Sequence, residues 1–174
     1  MEQAIRFGTD GWRSRVNANF SKKNVQRVTK AIGDYLHCSH APGKGVFIGY
    51  DGRSSSKGFA EACAEVLATE GIASFLPLRP VPTPVAAFAT IRFSLSGAIM
   101  ITASHNPPVY NGIKFIPYYG GPATTDITSA IERLIPHEAP AVESFSSLVT
   151  SGMVSSLDPI EAYVEKLERN LGRN

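Results

Sequence analysis

The sequence is poor in the features that mark several specialised classes of protein. It contains two cysteines, Cys38 and Cys63, which lack metal-ligand spacing and are too few for a disulfide framework. No run of like charges occurs, and 17 basic residues are balanced by 15 acidic ones, which is not typical of a nucleic-acid-binding surface. We therefore expect a protein of a reducing, cytoplasmic compartment that binds no nucleic acid.

Long hydrophobic runs and a secretory leader are also missing. No basic segment followed by an apolar one opens the chain, and no stretch reaches the roughly 20 apolar residues of a transmembrane helix. We therefore expect a soluble protein with no membrane partner. The 174 residues with 43% hydrophobic content are enough for one core and marginal for two, so we expect a single domain over residues 1–174.

Helical and strand patterns alternate along the first two thirds of the chain. Apolar residues at helical spacing predict helices at residues 21–38, 55–71 and 85–93. Short apolar runs bounded by turn residues predict strands at residues 46–50, 72–76 and 97–102. This order predicts an α/β fold, a three-layer α/β/α domain with a mixed, largely parallel sheet. After Asn111 and Gly112, residues 113–118 are expected to return as an antiparallel edge strand.

The carboxyl-terminal third has a weaker pattern. Residues 127–134 have helical spacing, and residues 136–156 are predicted as loop with room for one short strand. A final helix follows, for which Asp158 is the expected N-cap, with Pro159 in its first turn and Glu161 in capping-box register.

The string TASHNP at residues 102–107 is the strongest candidate for a functional site. It places Ser104 at the carboxyl end of a predicted buried strand, where open α/β sheets usually bind their ligands. Pro107 and Pro108 stiffen the exit from this loop. Because Ala103 and His105 flank the serine, the Gly-x-Ser-x-Gly elbow of the α/β-hydrolases is absent.

A serine hydroxyl is a poor nucleophile unless a base activates it or it already bears a transferable group. A phosphoryl group on Ser104 would add about 1.5 to 2 negative charges and would need basic partners. Arg13, His105 and Lys114 are the candidates for those partners.

Simpler interpretations of the same residues stay open at this point. Ser104 fits a turn residue that bonds a backbone amide, and Lys114 and Arg13 fit solvated surface residues. The string DGR at residues 51–53 fits a strand-ending turn, followed by serines that cap the next helix. Its functional alternative is an anion site at that helix N-terminus.

Three strings together resemble one family, the α-D-phosphohexomutases. They are FGTDGWR at residues 7–13, YDGRSS at residues 50–55 and ITASHNP at residues 101–107, and NGIKF at residues 111–115 continues the third. The resemblance covers nearly the whole chain, and the third string resembles the phosphoserine loop of the family.

The resemblance implies that Ser104 is phosphorylated and passes its phosphate to a hexose monophosphate. Glucose 1,6-bisphosphate is the implied intermediate and activator, and Mg²⁺ is the implied metal, bound by Ser104 through its phosphate. His105 and Lys114 are implied to stabilise charge or transfer protons, and Arg13 to hold the phosphate or the loop. The substrate class is implied to be a hexose phosphate, with glucose preferred over mannose and glucosamine because residues 106–111 and 119–122 resemble bacterial phosphoglucomutases.

The sequence departs from the family because it resembles domain I only. The Asp-x-Asp-x-Asp loop that completes the family's magnesium site is absent from this chain, as are the counterparts of domains II–IV. We therefore expect a piece of a larger mutase with little or no turnover by itself, which needs domains II–IV as partners. Two rival hypotheses are a serine hydrolase or phosphatase that uses Ser104 with His105, and a non-catalytic phosphosugar-binding module.

Overall fold

A computed structural model describes residues 4–8, 11–39 and 44–172 of the chain. Six strands and six helices lie within these residues. The strands are β1 (Trp12–Arg15), β2 (Val46–Tyr50), β3 (Ser74–Leu76), β4 (Gly97–Ile101), β5 (Tyr110–Pro117) and β6 (Val154–Ser156). The helices are α1 (Lys22–Ser39), α2 (Ser56–Thr69), α3 (Thr83–Arg92), α4 (Thr125–Leu134), α5 (Phe145–Thr150) and α6 (Ile160–Asn170).

The strands form one mixed sheet in the order β1-β5-β4-β2-β3-β6. Three neighbouring pairs are parallel, β2 with β4, β2 with β3 and β3 with β6, and β5 is antiparallel to both β1 and β4. The predicted mixed, largely parallel sheet is therefore confirmed. The parallel strands β2, β3 and β4 all end at the same edge of the sheet, which is where the candidate serine loop begins.

Helices cover both faces of this sheet and bury two separate cores. Alternate side chains of β4 point to opposite faces, so that Ile99 and Ile101 join one core and Ala98 and Met100 join the other. The first core lies under α1 and α2, and the second lies under α3. All five residues of β2 and of β4 are buried, as expected for strands covered on both faces. The predicted α/β/α layering is confirmed.

The prediction of an antiparallel edge strand after residue 112 is partly wrong. β5 is antiparallel to β4, but it begins at Tyr110 and is not at the edge, because β1 pairs with its other side. Asn111 and Gly112 consequently lie inside the strand and form no turn. Residues 102–109 make the chain reversal instead, so the candidate loop is the direct connection between two paired strands.

Two predictions for the carboxyl-terminal third also need correction. The segment predicted as loop contains α5 as well as the short strand β6, which extends the parallel part of the sheet beside β3. The last helix begins at Ile160 with Pro159 in the cap position, one residue later than predicted. Asp158 still accepts a hydrogen bond from the Ile160 amide at 3.1 Å, so its carboxylate satisfies one amide at the helix start.

The two cysteines form no disulfide, as the sequence predicted. Cys63 is fully buried and accepts a hydrogen bond from the Thr29 hydroxyl over 3.2 Å, whereas Cys38 is exposed. Burial raises the pKa of the Cys63 thiol to about 12. This thiol therefore stays protonated at neutral pH and is not a candidate nucleophile. Among the described helices, none has the length and apolar character that crossing a bilayer requires.

Candidate functional site at the end of β4

Ser104 lies in the loop of residues 102–109, directly beyond the carboxyl end of β4. The neighbouring parallel strand β2 ends at the same level, and the Asp51 amide donates a hydrogen bond to the Ile101 carbonyl at 3.1 Å. The Thr102 amide donates to the Gly112 carbonyl at 2.9 Å and closes the other side of the loop. The serine therefore stands on a paired, buried base, as its position in the sequence predicted.

The backbone of Ser104 is left-handed, with a φ of 56°. A non-glycine residue in this region costs about 1–2 kcal/mol and persists only where the surroundings impose it. Part of that restraint is local, because the Thr102 hydroxyl accepts a hydrogen bond from the Ser104 amide at 2.9 Å. The side chain of Ser104 is exposed, so the loop presents its hydroxyl to solvent.

His105 lies beside this hydroxyl. Its Nδ1 lies 3.4 Å from the Ser104 Oγ, and both side chains are exposed. This separation is longer than the usual 2.6–3.2 Å between an activated nucleophile and its base, although such contacts are often looser without substrate. The separation of 3.4 Å suits contact between His105 and a group attached to Ser104 at least as well as it suits activation of the hydroxyl by His105.

Arg53, in the turn after β2, donates hydrogen bonds to this loop and to the first residue of β5. Its Nη1 donates to the carbonyls of Pro107 at 2.9 Å and Tyr110 at 3.1 Å. Its Nη2 donates to the carbonyls of Ser104 at 3.0 Å and Asn106 at 2.7 Å. Its Nε donates to the Asp51 carboxylate at 3.2 Å, and its side chain is 15% exposed.

Polar side chains that are buried or partly buried form a hydrogen-bond network with Arg53. The Asp51 carboxylate also accepts hydrogen bonds from the Arg53 amide at 3.1 Å and the Ser56 hydroxyl at 2.6 Å. The Asn111 side chain is fully buried and donates to the hydroxyls of Ser55 at 3.1 Å and Ser56 at 2.9 Å. The start of α2, the turn after β2 and the start of β5 are thus joined through side chains.

Arg13 and Lys114 occupy different positions relative to the loop. Arg13 in β1 pairs with Gly112, and a Cβ added to Gly112 would lie 2.8 Å from the Arg13 Cγ and 2.6 Å from the Thr102 oxygen. The Arg13 stem therefore lies beside the base of the loop. Lys114 pairs with Met100, further inside the sheet.

The described residues form two clefts near these groups. One, of about 470 Å³, has Ser104 in its wall and is lined by Asp51, Gly52, Arg53, Ser54, Ser104, Asn106 and Pro108. Lys114 lines a neighbouring cleft of about 240 Å³ on the α3 side, together with Thr83, Pro84 and Gly120. The structure therefore brings Ser104 and His105 together and leaves Lys114 in the adjacent cleft.

A magnesium ion needs carboxylate or phosphate oxygens in octahedral geometry. In residues 4–8, 11–39 and 44–172, no three histidine, cysteine, aspartate or glutamate side chains are grouped to hold a metal. The carboxylate beside the loop, Asp51, is already bonded to Arg53 and Ser56. These residues do not fit a magnesium site by themselves. Asp10 and Thr9 of the first string lie outside the described residues.

Two residues of this region, Arg53 and Asn111, are not identified as supports of the loop by the sequence. Its patterns assign Arg53 to a strand-ending turn or an anion site, and Asn111 to a turn. The available signal for Arg53 is an arginine after a predicted strand, which does not show that β2 lies next to β4. The signal for Asn111 is obscured because Asn-Gly is typical of hairpin turns.

Several known proteins are similar to this chain in sequence or in fold. The family model of phosphoglucomutase/phosphomannomutase, alpha/beta/alpha domain I, matches residues 4–141. A phosphoglucomutase of Komagataeibacter xylinus is 34% identical over 139 residues, which are 75% of this chain and 25% of that protein. A protein of Pyrococcus furiosus assigned as a phosphoglucosamine mutase is 35% identical over 160 residues, 91% of this chain and 33% of that protein.

A solved structure has the same fold over almost the whole chain. It is a protein of Thermus thermophilus assigned as a phosphomannomutase, and it superposes with a TM-score of 0.87 at 37% identity. The match covers 98% of this chain and 37% of that protein. The chain thus spans about a quarter to a third of the length of the curated relatives named above.

Proposed function

This chain belongs to the phosphoglucomutase/phosphomannomutase family, and we propose that it is the phosphoserine-bearing first domain of a phosphohexomutase. The proposed reaction interconverts hexose 1-phosphate and hexose 6-phosphate through a phosphate on Ser104. One observation supports it most directly, the exposed Ser104 hydroxyl held in a left-handed loop at the carboxyl end of β4. Ligand sites in open α/β sheets are concentrated at this edge.

The proposed transfer is a phosphoryl exchange between two oxygens. A hydroxyl oxygen of the bound hexose monophosphate forms a bond to phosphorus while the bond from phosphorus to the Ser104 Oγ breaks. The sugar hydroxyl loses its proton, and the Ser104 oxygen gains one. In the second half the bisphosphorylated sugar returns its other phosphoryl group to Ser104, which restores the phosphoenzyme.

Catalysis of such a transfer is mostly positioning and neutralisation of the equatorial oxygens. His105 is the proposed donor or acceptor of protons at the serine oxygen, because its Nδ1 lies 3.4 Å from that atom. Arg13 is proposed to hold the phosphate or the loop from the β1 side. Lys114 lines the neighbouring cleft, so its proposed role in charge stabilisation requires the side chain to extend towards the phosphoryl group.

The proposed reaction also needs groups that this chain does not supply, and these are proposed to lie in other domains of the enzyme. The described residues do not group three metal ligands, so the carboxylates for Mg²⁺ are proposed to come from the counterparts of domains II–IV. For the same reason the chain alone is expected to show little or no turnover. Full mutase activity of the 174-residue chain would contradict that expectation.

The sugar specificity is proposed at the level of hexose phosphates, with glucose first. Relatives named for glucose, glucosamine and mannose are all similar to this chain, at 34%, 35% and 36% identity respectively. Identity over this segment therefore does not separate the three sugars. The preference for glucose rests on residues 106–111 and 119–122 and is tested by comparing the three sugar bisphosphates as phosphoryl donors.

The test of the proposed function is the intact mass of the chain after incubation with glucose 1,6-bisphosphate and Mg²⁺. We expect one added phosphoryl group, mapped by peptide analysis to Ser104 and absent from Ser104→Ala. Binding of the bisphosphate without an adduct would instead favour a non-catalytic phosphosugar-binding module. Labelling of Ser104 by a fluorophosphonate would favour the serine hydrolase hypothesis. Since the chain spans about a quarter to a third of the length of its relatives, the same incubation with a chain that includes counterparts of domains II–IV separates a missing magnesium ligand from a wrong assignment.

A further inference from the structure

The Arg53 guanidinium has no N–H group left for a ligand in this structure. A guanidinium carries five N–H donors in one plane. Three of them go to carbonyls of the loop of residues 102–109 (the Ser104 loop), one goes to the Tyr110 carbonyl at the start of β5, and the fifth goes to Asp51. An arginine beside a phosphate site would ordinarily be assigned to the phosphate. Here every donor is already committed to the protein itself.

Outside the Arg53 bonds, the loop is held near its end by the Val16 amide, which donates to the Val109 carbonyl at 2.8 Å. Pro107 and Pro108 have no amide hydrogen to donate. Turn bonds within the loop run from the Asn106 amide to the Ala103 carbonyl at 3.1 Å and from the Tyr110 amide to the Pro107 carbonyl at 3.0 Å. Meanwhile four carbonyl oxygens point at a single position. Without a cation there, those dipoles repel each other, so the loop shape depends on the guanidinium.

The loop shape determines where the Ser104 hydroxyl points. Arg53 bonds the carbonyl of Ser104 itself, at 3.0 Å, while the serine amide is held by Thr102 at 2.9 Å. The peptide groups before and after Ser104 are therefore both fixed. Thr102, at the start of the loop, holds the first, and Arg53, which follows β2, holds the second. Because Arg53 follows β2 and Ser104 follows β4, adjacent strands of the rigid sheet supply the two anchors.

We propose that Arg53 is a positioning residue for phosphoryl transfer at Ser104, acting by holding the loop and not by binding the phosphate. This inference rests on the proposed function, to which it adds the residue that sets the serine's orientation. Lysine cannot replace it, because an ammonium group offers three donors from one atom and cannot reach four converging carbonyls and a carboxylate.

The first test measures the loop directly and involves no phosphate. Amide hydrogen exchange is followed by NMR in the wild type, in Arg53→Lys and in the matched control Arg79→Lys, which alters an exposed arginine of the neighbouring loop. In Arg53→Lys we expect the amides of Ser104, Asn106 and Tyr110 to exchange at least about tenfold faster, while β2 and β4 stay protected. Loop exchange within about twofold of wild type in a folded variant would overturn the proposal.

A wild-type measurement covers the case in which Arg53→Lys does not fold. We expect the guanidinium protons of Arg53 to give separate, slowly exchanging NMR signals because rotation is blocked by their acceptors. A single averaged signal, typical of a freely rotating guanidinium, would overturn the proposal.

The second test separates positioning from stability. Phosphoryl uptake by Ser104 from glucose 1,6-bisphosphate is measured well below the unfolding midpoint of each variant, and its rate is expected to fall at least about tenfold in Arg53→Lys but to stay near the wild-type rate in Arg79→Lys. Normal uptake in a loosened loop would overturn the positioning role. If wild-type Ser104 takes up no phosphate in the chain or in the full-length enzyme, the proposed function fails, and the exchange data alone show whether Arg53 holds the loop.

Discussion

Two loops leave the same edge of the sheet and are held in different ways. The loop of residues 77–82, after β3, contains three prolines and is attached by the Val81 amide to the Tyr50 carbonyl at 2.9 Å. The loop of residues 102–109, after β4, is attached through the Arg53 side chain and, near its end, by the Val16 amide to the Val109 carbonyl at 2.8 Å. Prolines restrict backbone torsions wherever they occur, whereas the arginine imposes a left-handed serine that the chain would otherwise avoid.

The contrast shows how a connecting loop differs from one that presents a reactive group. Stiffness in the first loop is covalent and persists in the unfolded chain. The second loop also has two prolines, Pro107 and Pro108, but the Arg53 bond that holds its left-handed Ser104 exists only when β2 and β4 are assembled side by side. The candidate site is therefore complete only in the folded domain, and changes at its base are expected to have larger effects than changes in the proline-rich loop.

The largest expected effect comes from Gly112→Ala, at the base of the Ser104 loop. The new Cβ would lie 2.6 Å from the Thr102 oxygen and 3.0 Å from the Trp12 oxygen, both backbone atoms that cannot yield without moving a strand. We expect the free energy of unfolding to fall by about 2–3 kcal/mol, measured by urea denaturation.

Gly58→Ala is the matched control for that substitution. Gly58 lies in α2 and has no atom within 4 Å of an added Cβ, so alanine there should be neutral or stabilising by up to about 1 kcal/mol. Equal losses from the two variants would show that close approach at Gly112 is not what stabilises the loop base.

Asp51→Asn should loosen the same loop by a smaller amount. The amide would turn a donor towards the Arg53 Nε or the Ser56 hydroxyl, which now approach the carboxylate at 3.2 Å and 2.6 Å. We expect a loss of about 1–2 kcal/mol in unfolding free energy and faster exchange of the Ser104 loop amides. Unchanged loop exchange would limit Asp51 to the start of α2 and remove it from the support of Arg53.

Most of the fold and the place of the serine were predictable from local patterns. The apolar run that forms β4 and the polar string after it lie within a few residues of each other, so the position of Ser104 follows from the sequence alone. The role of Arg53 was not predictable in this way. Its partners are more than fifty residues away, and α2, β3 and α3 intervene in the chain between β2 and β4.

Asn111 and Gly112 illustrate a different limit. As a pair they are typical of a hairpin turn, yet contacts with residues distant in the sequence explain why each position has its residue type. The buried asparagine donates to the hydroxyls of Ser55 and Ser56 at the start of α2, and the glycine allows the chain at Trp12 and at Thr102 to approach on either side. β1 itself was not predicted, because its four residues at the sheet edge have too short a pattern to indicate a strand.

In the proline-rich loop, Pro82→Ala should have a modest effect that arises in the unfolded chain. Pro82 has φ −77°, which alanine also adopts, so the folded loop has no reason to change. We expect a loss of about 0.4–1 kcal/mol in urea denaturation, with no change in exchange at the Val81 amide. Faster exchange at Val81 would show that the proline also holds the folded loop. The difference between this loop and the loop that Arg53 holds would then be smaller.

The smallest effect is expected for Arg79→Ala in the same loop. Arg79 pairs with Asp158 at 2.9 Å, but its side chain is 63% exposed, against 15% for Arg53. Exposed ion pairs contribute little because water and salt screen them and both side chains lose rotamer freedom, so we expect a coupling energy of at most about 0.5 kcal/mol. A double-mutant cycle with Asp158→Ala measures that coupling and separates it from the loss of the Asp158 bond to the Ile160 amide. A coupling above 1 kcal/mol, roughly the upper limit for exposed pairs, would mean that an arginine also holds the loop after β3, and the distinction between the two loops would then lie in the serine conformation alone.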